Sequence, residues 1–346
     1  MKKIVVKVGS SIIAPQGSLD EKLISKIIRD ILEVEKLGFK VILVSSGAIA
    51  CGLNKLFFKE KPQDTNILMA VASLGQIILM NAYLKEFHKF NRFCAQILLT
   101  WDDFDNRKRF LNAKRTIDRL LTMGITPIIN ENDAISFDEI KFGDNDRLSA
   151  LVADLIEAKF LILLSDVNGL MKDGKVVPFV DKIDNKIFSL AKKSDSSFTC
   201  GGMVTKLEAA KIAMAAGIKM IIADGRQENV ILKIIKEEPV GTTFLSRQKI
   251  YKARKRWIAF GKKIKGKVYI DDGAKKAILN SGKSLLSVGI IKVEGDFKKN
   301  DAVCLLDRDE NIIGCGLINY SCEELKDFKY KKFDREIIHR DNFVKY

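Results

Sequence analysis

The chain has 346 residues, 47% of them hydrophobic, with mean hydropathy near zero, which is enough for a large core and points to two domains. Two distant histidines (His88, His339) and six cysteines without a CxxC pair argue against a histidine triad, a multi-histidine metal site and a disulfide framework. No apolar run of membrane-spanning length stands out, and Lys2 to Val8 enters a strand-like pattern rather than a signal peptide, so a cytoplasmic protein without a membrane partner is expected.

The formal charge of +15 is uneven, with +10 of it in residues 247–346. Such a bias suits a nucleic-acid surface or a solvated basic face.

In chain order, Ile4 to Val8 reads as an apolar strand interrupted by Lys7 and followed by the turn Gly9-Ser10-Ser11. Asp20 is placed to cap a helix with Leu23, Ile24, Ile27, Ile28, Ile31, Leu32 and Val34 on one face, and Gly38 ends it. Lys40 to Ser45 is the next strand, and Ser45-Ser46-Gly47-Ala48 turns tightly into a helix. Further strands are expected at 93–100, 125–130, 160–165 and 219–223, with helices at 109–123, 205–216 and 228–236. Strands without clean alternation, separated by amphipathic helices, predict a mostly parallel α/β sheet sandwiched by helices. The basic stretch 247–256 lacks apolar periodicity and reads as a linker between residues 1–246 and a small, mainly β domain at 257–346.

The densest polar stretch is 128–151, IINENDAISFDEIKFGDNDRLSAL. It sets Asn130, Glu131, Asn132, Asp133, Asp144, Asn145 and Asp146 between an apolar strand and a helix whose apolar pattern starts near Arg147. Asx-turns and a helix cap explain Asn145 or Asp146 but not the whole cluster; the rest must be solvated, paired or turned toward a ligand. Cys200-Gly201-Gly202-Met203-Val204-Thr205-Lys206 opens a helix with glycines, a hydroxyl and a lysine, a pattern that suits a phosphate and also suits a plain capped turn. Lys7, inside an apolar strand, must reach either water or an anion. Lys7 and Lys206 together can flank a transferring phosphoryl group. The segment Gly261 to Val268 imitates a phosphate-cradling loop but lacks its hydroxyl and its helix, and His339-Arg340-Asp341 stands too near the end of the chain to be a kinase catalytic loop.

These stretches resemble the glutamate 5-kinases of the amino acid kinase family: KVGSS at 7–11, VSSGAIACG at 44–52, NENDA at 130–134, KFGDNDRLSA at 141–150, LLSDVNGL at 163–170 and GGMVTK at 201–206. The tail from Arg256 resembles the PUA domain found in many bacterial members. The resemblance implies ATP-dependent phosphorylation of the side-chain carboxylate of L-glutamate, with Mg²⁺, in the first step of proline biosynthesis under feedback by proline. It implies Lys7 and Lys206 as phosphate-facing cations and Asp146 as the group that orients them. Ser46, Asp133 and Asn145 would contact glutamate; Ser165, Asp166, Gly201, Gly202, Met203, Val204, Thr205 and Lys206, with Lys7, would contact ATP. No protein-built metal site is expected, since Mg²⁺ often rides on nucleotide phosphates. Members associate through the kinase domain, so a homo-oligomer, dimer or tetramer, is expected, and RNA binding by the PUA domain stays open. Trp101 to Asn112 aligns with the loop that reaches over the substrate. Two departures stand out: Thr199-Cys200 replaces the usual Gly-Thr, and Lys299-Asn300 replaces the usual Gly-Asp. A kinase of the same fold acting on another acid, or an RNA-binding PUA protein, are the alternatives.

Overall fold

The computed structural model describes residues 1–135, 145–194, 202–245, 251–326 and 333–346. The expected positions Asp144, Thr199, Cys200 and Gly201 lie outside these residues. The chain divides into two compact units, one of Met1–Asp103 and Arg107–Ile250, the other of Phe104–Asn106 and Tyr251–Tyr346.

The first unit is built on an eight-stranded sheet of β1 (Lys2–Val8), β2 (Phe39–Ser45), β3 (Cys94–Leu99), β4 (Thr126–Glu131), β5 (Phe160–Ser165), β8 (Phe179–Val180), β9 (Lys219–Asp224) and β10 (Thr242–Phe244), in the order β3-β4-β2-β1-β5-β9-β10-β8. A small hairpin, β6 (Met171–Lys172) with β7 (Lys175–Val176), stands apart. Only the β9–β10 pairing is antiparallel in the large sheet. The central strands are apolar on both faces because both faces are covered: Ile4, Val5, Val6 and Val8 are all fully buried.

Helices α1 (Ser10–Ile13), α2 (Glu21–Lys36), α3 (Ala48–Lys55), α4 (Thr65–His88), α5 (Trp101–Asp105), α6 (Arg107–Thr122), α7 (Asn145–Leu155), α8 (Asn185–Ser194), α9 (Met203–Ala215) and α10 (Val230–Ile235) link these strands. Asp20 caps α2 by accepting from the Leu23 amide at 2.9 Å, and the stripe from Leu23 to Val34 is buried as the periodicity predicts. Gly38 follows with φ +83°, a left-handed position that favours glycine.

The long helix α4 has no counterpart among the helices predicted above. By length and composition it is apolar enough to cross a membrane, which corrects the expectation that no such run exists. Its inner face, including Leu68, Val71, Leu79, Tyr83 and Phe87, is packed inside the unit. It meets α3 at very close range. A Cβ on Gly75 would collide with the Ala48 carbonyl, and one on Gly52 with the Val71 carbonyl.

The second unit holds α11 (Ala253–Arg256), α12 (Asp272–Ser281) and a five-stranded sheet in the order β12 (Ile290–Gly295), β11 (Ile264–Ile270), β13 (Ala302–Leu306), β14 (Ile312–Leu317), β15 (Phe343–Lys345). The stretch expected as a linker is described only from Tyr251, and there it is partly helical. Arg256 is buried, with Nη1 donating to the Tyr251 carbonyl at 2.6 Å. The glycine-lysine segment near Gly266 is strand β11, not a phosphate loop. Asn300 takes φ +70° at its turn, a conformation that asparagine tolerates better than most residues.

Two measurements test this packing. Gly75→Ala should destabilise the protein by ~1–3 kcal/mol or more in urea unfolding, because two helix backbones must separate. In the second unit, the Lys275 ammonium, 2.7 Å away, and the Asn311 amide hold the Asp307 carboxyl down to about 2. The unfolded value is about 3.9. The carboxylate's contribution to stability is therefore full above about pH 4 and lost as pH falls through about 2. Asp307→Asn should flatten that part of the acid-unfolding curve.

Candidate active site

The registers bring the carboxyl ends of the strands to one edge of the sheet. Val8 of β1 sits beside Ser45 of β2 and Leu164 of β5, and Ser165 pairs with Asp224 of β9. In open α/β sheets, ligands gather at this edge.

The amines of Lys7 and Lys206, 199 positions apart in sequence, meet on one carboxylate. Lys7 Nζ lies 2.7 Å from Asp146 Oδ1 and Lys206 Nζ lies 3.5 Å from Oδ2, with Thr205 Oγ1 3.1 Å from Oδ2. Asp146 is 0% exposed, Lys7 4% and Lys206 6%. Lys7 therefore does not snorkel to water, and Asp146 is more than a helix cap. Asn145 and Asp146 open α7 as its first helical residues, and the Ser149 hydroxyl donates to the Asp146 carbonyl at 2.6 Å. Two buried amines gathered on one carboxylate at the head of the cleft suit an anionic ligand.

Beside this centre is a cavity of about 180 Å³ lined by Ser46, Gly47, Asn130, Asp133 and Asn145, which holds the three expected glutamate contacts. Ser10, in the turn that follows β1, also lines it, as does Lys61, which was not anticipated. Ser46 Oγ is buried without a hydrogen-bond partner among the described residues, an orphan that a ligand would satisfy. Gly47, at φ +104°, lets the chain turn into α3, whose first amides are open at the cavity. The larger cavity of the second unit, about 680 Å³ around Lys283, Leu286 and His339, includes none of the expected site residues.

On the other flank, Ser165 is buried and its hydroxyl donates to Asp166 Oδ1 at 3.1 Å. Arg226, absent from the sequence reading, donates to the Asp166 carbonyl at 2.7 Å and to Asp224 at 3.0 Å, tying this turn to the end of β9. The Asp224 carboxylate raises the Arg226 pKa further. Gly202 precedes α9 without a side-chain cap, so the amides of Met203, Val204 and Thr205 open the helix toward the Asp146 centre. Arg147 lies over the Trp101 ring at 4.2 Å, joining α7 to the start of the segment expected to reach over substrate. Cys51, behind the cavity on α3, has its thiol pushed up to about 11 by burial and stays protonated at neutral pH.

The model of the amino acid kinase family matches residues 2–224, and that of the PUA domain residues 266–340. A carbamate kinase from Giardia lamblia bound to AMP-PNP shares the fold of the first unit, with TM-score 0.50 and 18% identity over 71% of this chain and 98% of that one. The class is thus a kinase built on the amino acid kinase fold. Proteins named glutamate 5-kinase from Thermoanaerobacter sp. (strain X514) and Nitrosomonas eutropha are 43% and 40% identical, each over 99% of this chain and 97% of the relative. The chain belongs to the glutamate 5-kinases of the amino acid kinase family, those with a C-terminal PUA domain.

Asp146→Asn should be the most damaging single change at this centre. It removes the charge of the carboxylate that both buried ammonium groups meet, and ~3–5 kcal/mol of stability should be lost in urea titration. Turnover should fall with it by about 100-fold or more.

Proposed function

We infer that the enzyme transfers the γ-phosphoryl group of ATP to the side-chain carboxylate of L-glutamate, giving L-glutamyl 5-phosphate and ADP, in the first step of proline biosynthesis. The observation that carries this reading is the convergence of Lys7 and Lys206 on Asp146 beside the cavity of Ser46, Asp133 and Asn145.

The nucleophile is ionised at neutral pH, so the reaction needs no general base. A carboxylate oxygen attacks the γ-phosphorus, the new O–P bond forms, and the bond to the bridging oxygen breaks with its electrons leaving on ADP. The barrier is largely repulsion between the two anions and the cost of aligning them. Lys7 and Lys206 offset the repulsion, and Asp146 holds both amines in place so that they need not reorganise during transfer. Asp133 and Asn145 supply acceptors for the glutamate ammonium, while the Ser46 hydroxyl and the first amides of α3 suit a carboxylate. Ser165, Asp166 and the opening of α9 from Gly202 to Lys206 would hold the nucleotide; Gly201 is assigned there by resemblance alone. Asp146 is already engaged by two lysines, so Mg²⁺ would arrive on the ATP phosphates and supply further charge neutralisation.

The same reading places the enzyme in the cytoplasm, where both substrates are made, with proline as feedback inhibitor. It also takes the enzyme to be a homo-oligomer, dimer or tetramer, supported by Ile67, Ile77 and Leu84 exposed on the outer face of α4. RNA binding by the second unit rests on its charge and its PUA match.

The test is glutamate-dependent ADP release with the acyl phosphate trapped as hydroxamate, across a panel of acidic amino acids, with and without proline. Lys7→Met and Lys206→Met should each lower kcat by about 10²- to 10³-fold with the fold retained by circular dichroism. Salt-sensitive RNA binding without any turnover would favour the RNA reading instead.

A further inference from the structure

Behind the cavity runs a chain of amides, of which the reaction above uses only Asn145. Asn145 Nδ2 donates to the Ser45 carbonyl at 2.6 Å and to Asn130 Oδ1 at 2.7 Å. Asn130 Nδ2 donates to Gln76 Oε1 at 2.7 Å, and Gln76 Nε2 donates to Gln96 Oε1 at 2.9 Å. Asn130, Asn145 and Gln76 are 2%, 6% and 9% exposed, whereas Gln96 is exposed at the sheet edge.

An amide side chain can be turned over to exchange its oxygen and nitrogen, so its polarity must be fixed by partners that cannot switch. Two backbone groups do this here. The Ser45 carbonyl only accepts, so the Asn145 atom facing it is nitrogen. The Glu131 amide only donates, and at 2.9 Å it makes the Asn130 atom facing it oxygen. Both Asn145 hydrogens are then spent, and Oδ1 is the atom left for the cavity that Asn145 lines. That atom is an acceptor, matched to a substrate ammonium.

We propose that Gln76 of α4 is a positioning residue for the amino-acid substrate, acting through Asn130 on Asn145. Gln76 supplies the acceptor for Asn130 Nδ2. Without it, a buried donor is unpaired, and a half-turn of the Asn130 amide gives no relief, because it would set Asn130 nitrogen against both the Glu131 N–H and Asn145 Nδ2. The remaining relief is a shift of the Asn130 side chain out of line with Asn145, and that shift is passed to the cavity wall. Gly75, the preceding residue, is where α4 and α3 approach most closely, so Gln76 is placed by a rigid crossing of backbones.

The inference rests on the reading that this cavity receives L-glutamate, and kinetics of the full-length enzyme separate the two. Gln76→Met, similar in size but without an acceptor, should raise KM for glutamate about tenfold or more, with KM for ATP changed less than about twofold. Gln76→Glu keeps the oxygen, and the exposed Gln96 amide can turn to donate to it, so this variant should bring glutamate KM back to within about threefold of wild type. If Gln76→Met does not fold, Gln96→Leu at the exposed end should still raise glutamate KM alone, by about two- to fivefold. Unchanged glutamate KM in Gln76→Met, an equal rise in both KM values, or a Gln76→Glu variant as impaired as Gln76→Met would each overturn the proposal. Wild-type enzyme with no glutamate turnover would instead overturn the substrate reading on which it stands.

Discussion

Much of the first unit is arranged around a single buried carboxylate with an ammonium group on each side. Isolated in the interior, Asp146, Lys7 or Lys206 would each be too costly to keep charged. Together they are tolerated, and the two amines meet the carboxylate at the edge where the strands end. Three elements must be held in register for this to exist: β1 for Lys7, the first turn of α7 for Asp146 and the first turn of α9 for Lys206. The parallel sheet provides that register, since β1 is paired on both sides and covered on both faces.

The neighbouring cavity adds directional hydrogen bonding to charge. Beside the charged Lys61, Glu131 and Asp133 it is lined by the amides of Asn130 and Asn145, whose directions are set by backbone groups. Tyr83 extends this behaviour: its hydroxyl is 2.9 Å from Ser45 Oγ, and burial pushes its pKa well above the ordinary phenol value, so it serves as a neutral partner.

Much of the candidate site was legible because its residues break local rules. Lys7 is a cation in an apolar strand, and Asn130 to Asp133 and Asn145-Asp146 crowd polar groups between a strand and a helix. Gln76 was also a polar residue in an apolar stretch, yet the whole of α4 escaped notice. Its apolar residues surround the helix, so the one-sided stripe that marks an amphipathic helix is missing. Arg226 gave no local signal, because an arginine after a strand is ordinary until its partners on β5 and β9 are known. Arg256, in the basic stretch before the second unit, gave no local signal either: its guanidinium is buried against the Tyr251 carbonyl.

From sequence alone came the elements and their order: apolar strands too continuous for a one-sided sheet, a capped helix after Asp20, and polar clusters where strands end. These depend on periodicity and on residues whose local chemistry is unambiguous. Tertiary structure alone decided that Lys7 and Lys206 share one carboxylate, that the Ser46 hydroxyl is unpaired among the described residues, and that the Asn145 amide nitrogen meets the Ser45 carbonyl. Each of these is a relation between distant segments, and no local rule specifies which partner a buried polar group will find once the sheet has closed around it.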